Sequence, residues 1–284
     1  MIDLHVHSNI SDGSTSPAEV IELAHEAKCT AISLTDHDTF AGIPEATKRA
    51  EELDIELVPG IELSCTHERG TMHMLVYFCQ DGDSPLGMAL TKLQEARLNR
   101  NHKLVELMVN DGVDISYEHL VREAGNQGMG RPHFAAILVQ QGLARNVDDA
   151  FDKFLNVGKK YYINKETFSP KDIILLALQS GGLPVLAHPN TTTDNPVQLS
   201  EIVEELTSYG LVGLETYYGR YTPTERMTLL GLARANSLIP TGGSDFHGSY
   251  KPDLQIAIGR GDLKVPPDTL DHLKSRHKEL VTNP

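Results

Sequence analysis

The chain lacks any run of about 18 apolar residues, so no segment reads as a membrane-spanning helix. Its N-terminus, Met1-Ile2-Asp3-Leu4-His5, lacks the basic stretch and apolar block of a secretory leader, so a cytoplasmic location with no membrane partner is expected. Cysteine is scarce. Cys29, Cys65 and Cys79 are odd in number and show no C-x-x-C spacing, which argues against a disulfide framework or a thiolate zinc site and leaves packing as their role. Positive charge is also short: 25 Lys and Arg stand against 39 Asp and Glu, a formal net charge of −14. A surface of that sign repels a nucleic-acid backbone, so DNA is not an expected partner, although a local basic pocket is still allowed. Carboxylates that hold cations count as bare charges in such a sum, so part of the deficit can be functional. Internal repeats and low-complexity tracts are missing as well.

What is present is an ordinary globular composition, 40% hydrophobic and 23% charged over 284 residues, enough for an α/β barrel in one folding unit. Short apolar runs alternate with helical patterns. Strands are expected at 2–7, 31–35, 57–64, 72–78, 183–187, 213–216 and 239–242, with helices between most of them. Ser16-Pro17 supplies a cap and a first-turn proline, after which Val20, Leu23, Ala24 and Ala27 share a helix face. From Pro85 to about Leu155 the pattern is helical throughout. The expected organisation is therefore a barrel domain from 1–84 and 156–284, interrupted by an inserted helical lid subdomain at 85–155.

Asp3-Leu4-His5-Val6-His7 places two imidazoles on one face of a strand, because strand side chains alternate with a period of two. Four further segments put metal-type ligands at strand C-terminal ends, where barrel active sites collect: Thr35-Asp36-His37-Asp38, Gly60-Ile61-Glu62, Ala187-His188-Pro189 and Gly242-Gly243-Ser244-Asp245-Phe246-His247. His73 lies early in its strand and Asp12 in the loop after the first. Each segment alone has an ordinary structural reading: His37 as a helix cap, Glu62 as a surface acid, Asp245 as a turn residue. Their joint placement points instead to nine ligands: His5, His7, Asp12, His37, Glu62, His73, His188, Asp245 and His247. Asp36 and Asp38 read as supporting or capping groups for His37. Mixed imidazole and carboxylate donors without thiolate suit manganese, zinc or iron better than calcium.

Through DLHVHS, TDHD, GIEL, the lone His73, AHP and GSDFH the sequence resembles the polymerase and histidinol phosphatase (PHP) family. Within it, DGSTSP and the helical insert look most similar to stand-alone nucleoside 3′,5′-bisphosphate phosphatases, also described as RNA-trimming phosphoesterases. The resemblance implies a distorted (β/α)7 barrel of PHP type. It also implies a site for two to three divalent ions, with manganese the first expectation and zinc or iron the alternatives. One ion would take His5, His7, Glu62 and Asp245; Glu62 would bridge to a second held by His73 and His188; Asp12, His37 and His247 would hold a third. The implied chemistry is attack on phosphorus by a metal-held hydroxide.

In the insert, Leu93, Arg97, Arg100 and Leu104 fall on one helix face, which puts two guanidinium groups among core-type leucines. Solvated or ion-paired arginines are the ordinary reading. In the resembling phosphatases an R-x-x-R segment and an Arg-x-His-Phe-Ala segment border the substrate pocket. Here these stand as Arg97 to Arg100 and as Arg131-Pro132-His133-Phe134-Ala135, with Lys159 in Gly158-Lys159-Lys160-Tyr161-Tyr162 a further phosphate candidate. Arginine suits that task because its planar fork binds phosphate through two bonds. The implied partner is a small nucleotide, with short RNA as a second substrate; oligomeric state is not readable. One departure stands out: the relatives follow Ala-His-Pro with Gly-Arg-Tyr, whereas this chain has Asn190-Thr191, so a substrate-contacting arginine is missing. The rivals are a histidinol-phosphate phosphatase, an amidohydrolase with H-x-H on its first strand, and a non-catalytic metal-binding regulatory protein.

Overall fold

A computed structural model describes residues 1–67, 71–79, 81–124, 130–164 and 166–282. Two compact units emerge, one formed by Met1–Leu90 with Thr167–Pro284 and the other by Thr91–Glu166. The first holds strands β1 (Ile2–Val6), β2 (Ala31–Leu34), β3 (Glu56–Cys65), β4 (Met72–Tyr77), β5 (Leu183–Leu186), β6 (Gly213–Tyr218) and β7 (Ile239–Gly243). These form one sheet in sequence order. Among helices, α1 (Pro17–Glu26) and α2 (Ile43–Glu52) follow the first two strands and α3 (Pro85–Asn110) follows β4. Next come α4 (Tyr117–Ala124), α5 (Arg131–Gln140), α6 (Val147–Ala150), α7 (Pro170–Gln179), α8 (Pro196–Tyr209), α9 (Pro223–Ala235) and α10 (Asp268–Thr282).

The β/α alternation has one interruption. β3 and β4 pair antiparallel, as do β4 and β5, while the other neighbouring pairs are parallel. Strand β4 therefore runs against its six companions and delivers its first residues where the others deliver their last. The sheet nearly closes: Val6 bridges Phe246, the His7 N–H donates to the Phe246 carbonyl at 2.9 Å, and the Asp245 N–H donates to the His5 carbonyl at 2.8 Å.

Alternation along β3 and β4 sorts the core. Ile61, Leu63, Met72, Met74 and Val76 pack with Ile173 and Ala177 of α7 and Ile202 and Leu206 of α8. Val58, Leu75 and Tyr77, on the opposite face, pack with Leu4, Leu183, Val185 and α10 residues Leu270 and Leu273. Glu62 and His73 follow the parity of the second group. Local chemistry sets the helix starts. Ser16 and Glu19 form a reciprocal capping box on α1, and Thr222 and Glu225 form another on α9. Asn195 caps α8, which begins at Pro196.

The second unit has its own core of Leu104, Met108, Leu120, Phe134, Leu138, Leu155 and Tyr161. Its limits differ from the expected 85–155. Leu86 and Leu90 belong to the barrel cluster, which moves the start to Thr91, whereas Tyr161 and Ile163 belong to the insert's own cluster, which moves the end to Glu166. Cys29 and Cys79 are buried free thiols, and burial pushes both up to about 12, consistent with packing. Among the described residues no helix is long and apolar enough to cross a membrane.

Candidate metal centre

Four chain segments of the barrel unit bring imidazoles to one buried carboxylate. Glu62 is fully buried on β3, and five imidazoles surround it. Its Oε2 lies 3.2 Å from His5 Nε2, 3.0 Å from His7 Nε2 and 3.4 Å from His37 Nε2. Its Oε1 lies 2.9 Å from His73 Nδ1 and 2.9 Å from His188 Nε2. His73 reaches the group because β4 is reversed: Ser64 stands opposite His73 in the β3–β4 ladder, two residues beyond Glu62.

Three groups of donors have their atoms within 4.8 Å of one another: His5, His7, Glu62 and Asp245; His7, Asp12, His37 and His247; and His37, Glu62 and His73. The first coincides with the set expected for one ion. The second contains the expected Asp12, His37 and His247, with His7 Nδ1 facing Asp12 Oδ1 at 3.5 Å. The third pairs Glu62 and His73 with His37, while His188 approaches the same Glu62 oxygen as His73. All nine anticipated ligand residues thus lie in one cluster.

The donor set fits divalent cations on three observations. Two donors each about 2.1 Å from an ion stand roughly 3.0–3.5 Å apart at octahedral or tetrahedral angles. In the first group, Asp245 Oδ1 lies 3.6 Å from His5 Nε2 and 3.4 Å from His7 Nε2. The two Nε2 atoms are 3.1 Å apart. Among the described residues, moreover, His7 Nδ1, which faces Asp12, is buried without a hydrogen-bond partner, an arrangement that costs free energy unless an ion takes the lone pair. Finally, the buried carboxylates draw positive charge onto the imidazoles around them, a demand that cations can meet instead. For His7, burial pushes the imidazole down but Asp245 and Glu62 overcome it and raise it to about 9. For His37, burial, aided by His7 and His73, outweighs Glu62 and Asp12 and lowers it to about 4. Glu62 and Asp245 both stay well below the usual carboxylate range; burial opposes this, and the surrounding imidazoles prevail.

Supporting groups fix these donors. Asp36 accepts from the Ser8 N–H at 2.8 Å, the Ser8 hydroxyl at 2.7 Å and the Ser11 hydroxyl at 2.7 Å, which pins the loop between His7 and Asp12. Four supporting residues escaped the sequence reading. Glu215, fully buried on β6, faces His5 Nδ1 at 2.9 Å and accepts the His188 N–H at 2.6 Å. Asp3 accepts from the Ser244 and Ala257 N–H groups and ties β1 to the segments around and beyond β7. Tyr218 and Lys251 both donate to Asp245 Oδ2, at 2.8 Å and 2.6 Å. Burial, with Asp245 beside it, pushes the Tyr218 hydroxyl up, so it stays a donor. The available signals were an acid inside an apolar strand for Glu215 and the acid of DLH for Asp3; nothing local marks Tyr218 or Lys251. His188 and Asp245 adopt positive φ of 24° and 56°, strained backbone at two candidate ligands. In the segment after Ala187-His188-Pro189, the Thr191 hydroxyl sits 2.8 Å from His188 Nδ1.

Within the insert, Arg97, Arg100, Lys92 and Lys103 line a cleft of about 300 Å³ together with Asn99 and Ile163. Arg100 is half-buried, and its guanidinium is pushed down first by burial and then by the like charges of Arg97 and Arg131. The Arg131 guanidinium stacks over Phe151 and Tyr162, 5.9 and 5.7 Å from the ring centres. His133 Nδ1 lies 3.1 Å from the Gly130 backbone nitrogen at the start of α5, so that imidazole serves as a local cap. Lys159 is exposed, whereas Lys160 pairs with Asp111 at 2.7 Å.

The chain is similar to several known proteins. A 3′,5′-nucleoside bisphosphate phosphatase of Chromobacterium violaceum is 29% identical over 247 residues, covering 87% of each chain. A 5′-3′ exoribonuclease Rnm of Salmonella typhimurium is 30% identical over 260 residues, covering 91% of this chain and 88% of the other. Among solved structures, a protein described as a metal-dependent phosphoesterase from Bifidobacterium adolescentis superposes with a TM-score of 0.75 at 29% identity, covering 97% of this chain and 96% of that one. The family model of the PHP domain matches residues 3–163, more than half of the chain, and the protein belongs to that family.

Proposed function

We propose that this chain is a divalent-metal-dependent phosphoesterase that removes the 3′-phosphate from nucleoside 3′,5′-bisphosphates. The observation that carries the hydrolase reading is the convergence of eight further imidazole and carboxylate residues around Glu62 in a PHP-type barrel. Bound divalent cations would supply a nucleophile from water at neutral pH and offset charge developing on the phosphoryl oxygens. His5, His7, Asp12, His37, Glu62, His73, His188, Asp245 and His247 are the residues proposed to hold them. Glu215 takes the Nδ1–H of His5, which leaves the Nε2 lone pair for coordination. Manganese is the proposed ion, with zinc and iron the alternatives the donors also accept.

The bisphosphate assignment rests on the guanidinium cluster of the insert. Burial, with Arg97 and Arg131 close by, makes the charge of Arg100 costly, a cost that a bound phosphate relieves. His133 and Lys159 are the accessory candidates. Support also comes from the bisphosphate phosphatase relative, and the exoribonuclease relative favours trimming of short RNA as a second activity. The test is phosphate release from adenosine 3′,5′-bisphosphate and adenosine 3′-monophosphate with manganese supplied. The bisphosphate is expected to have the higher kcat/KM. Equal values rule out the second anion site, and no release from any ester rules out the hydrolase.

A further inference from the structure

Asp245 uses its two oxygens differently. Oδ1 faces His5 Nε2 and His7 Nε2, at 3.6 and 3.4 Å, inside the candidate metal centre. Oδ2 faces away and receives both the Tyr218 hydroxyl, at 2.8 Å, and the Lys251 ammonium, at 2.6 Å. These residues all belong to the barrel unit. Tyr218 alone would suffice to orient the carboxylate, since it is buried and neutral. Lys251 adds a full positive charge, on a side chain still 28% exposed, immediately behind a ligand whose value to a cation is its negative charge. Like charges a few ångströms apart repel even near a protein surface, so the lysine works against cation affinity. The same charge makes the centre more attractive to an incoming phosphate dianion.

We infer that Lys251 is a positioning and charge-setting residue. It holds Asp245 as a one-oxygen ligand and gives up cation affinity in exchange for an electropositive centre that binds phosphate. The inference rests on the metal-centre reading above and deepens it. No relation of sequence proximity suggests it, since Lys251 lies six residues from Asp245 beyond a short turn at Gly248–Tyr250.

The test uses the full chain stripped of metal by a chelator and then titrated calorimetrically with manganese, followed by inorganic phosphate on the manganese-loaded protein. Lys251→Met is expected to bind manganese about tenfold more tightly and phosphate about tenfold more weakly than the parent. Lys251→Arg, which keeps the charge, is expected to restore both values. Tyr218→Phe, which removes a bond to the same oxygen but no charge, is expected not to tighten manganese. Unchanged or weaker manganese binding in Lys251→Met, unchanged phosphate binding, or equal tightening in Tyr218→Phe overturns the role of Lys251. A parent protein that binds no manganese overturns the metal centre itself, a separate outcome.

Discussion

Glu215 and His5, 210 residues apart in the chain, meet with Oε1 2.9 Å from Nδ1 in the fully buried floor of the site. The other Glu215 oxygen accepts the His188 N–H at 2.6 Å, so one carboxylate aligns two candidate ligands from different strands. Glu215→Gln keeps the shape but offers one acceptor oxygen where there were two. It is expected to reduce metal affinity or kcat/KM by about 10–100-fold, as loss of such partners generally does. Metal titration and steady-state kinetics on the folded variant check this, and parent-like values would remove Glu215 from the site.

Chelation should act on stability as well as on turnover. Cations that bind only the folded chain stabilise it by roughly 2.7 kcal/mol at one hundred times their dissociation constant. For a chain of this size that corresponds to a rise in Tm of about 4–5 °C. Thermal unfolding with chelator, and again after adding manganese, zinc or iron, would show it; the ion giving the largest rise together with activity is the best candidate for the native one.

Closure of the barrel depends on Gly243. A Cβ placed there would lie 2.4 Å from the His5 backbone nitrogen, 2.5 Å from the His5 Cβ and 2.7 Å from Asp3 Oδ1, atoms that cannot swing aside. Gly243→Ala is expected to cost about 1–3 kcal/mol or more of stability, read as a lower urea midpoint, and to weaken metal binding because the displaced strand carries His5. A parent-like midpoint would mean that β1 and β7 yield more easily than their spacing indicates.

Arg100 of the insert is a proposed phosphate contact. Arg100→Ala is expected to lower kcat/KM for adenosine 3′,5′-bisphosphate about 10–100-fold, the range for losing a charged hydrogen bond. The 3′-monophosphate should change little. Equal losses on both substrates would assign Arg100 a structural role.

The sequence made the nine ligand candidates legible because each sits in a short segment whose strand parity or strand-end position is locally encoded, as with His5 and His7 on β1. The seven strands were readable for the same reason. Partners that meet only through the fold were not: Lys251 reaches Asp245 around a turn, Tyr218 reaches it from a neighbouring strand, and Asp3 grips Ala257 from 254 residues away. The insert's limits were misjudged because helical periodicity is the same whether a leucine packs into one core or another. Leu86 and Leu104 on α3 differ only in the cluster they join.

The reversed strand β4 makes Glu62 and His73 members of a single hairpin ladder, with Glu62 opposite Leu75 and Ser64 opposite His73. A slip of one residue in that pairing would turn one donor outward while leaving the other in place, and no loop adjustment could retrieve it. The spacing of this candidate ligand pair is thus inherited from backbone hydrogen bonds, and any variant that loosens the hairpin is expected to disturb the proposed metal centre before it unfolds the protein.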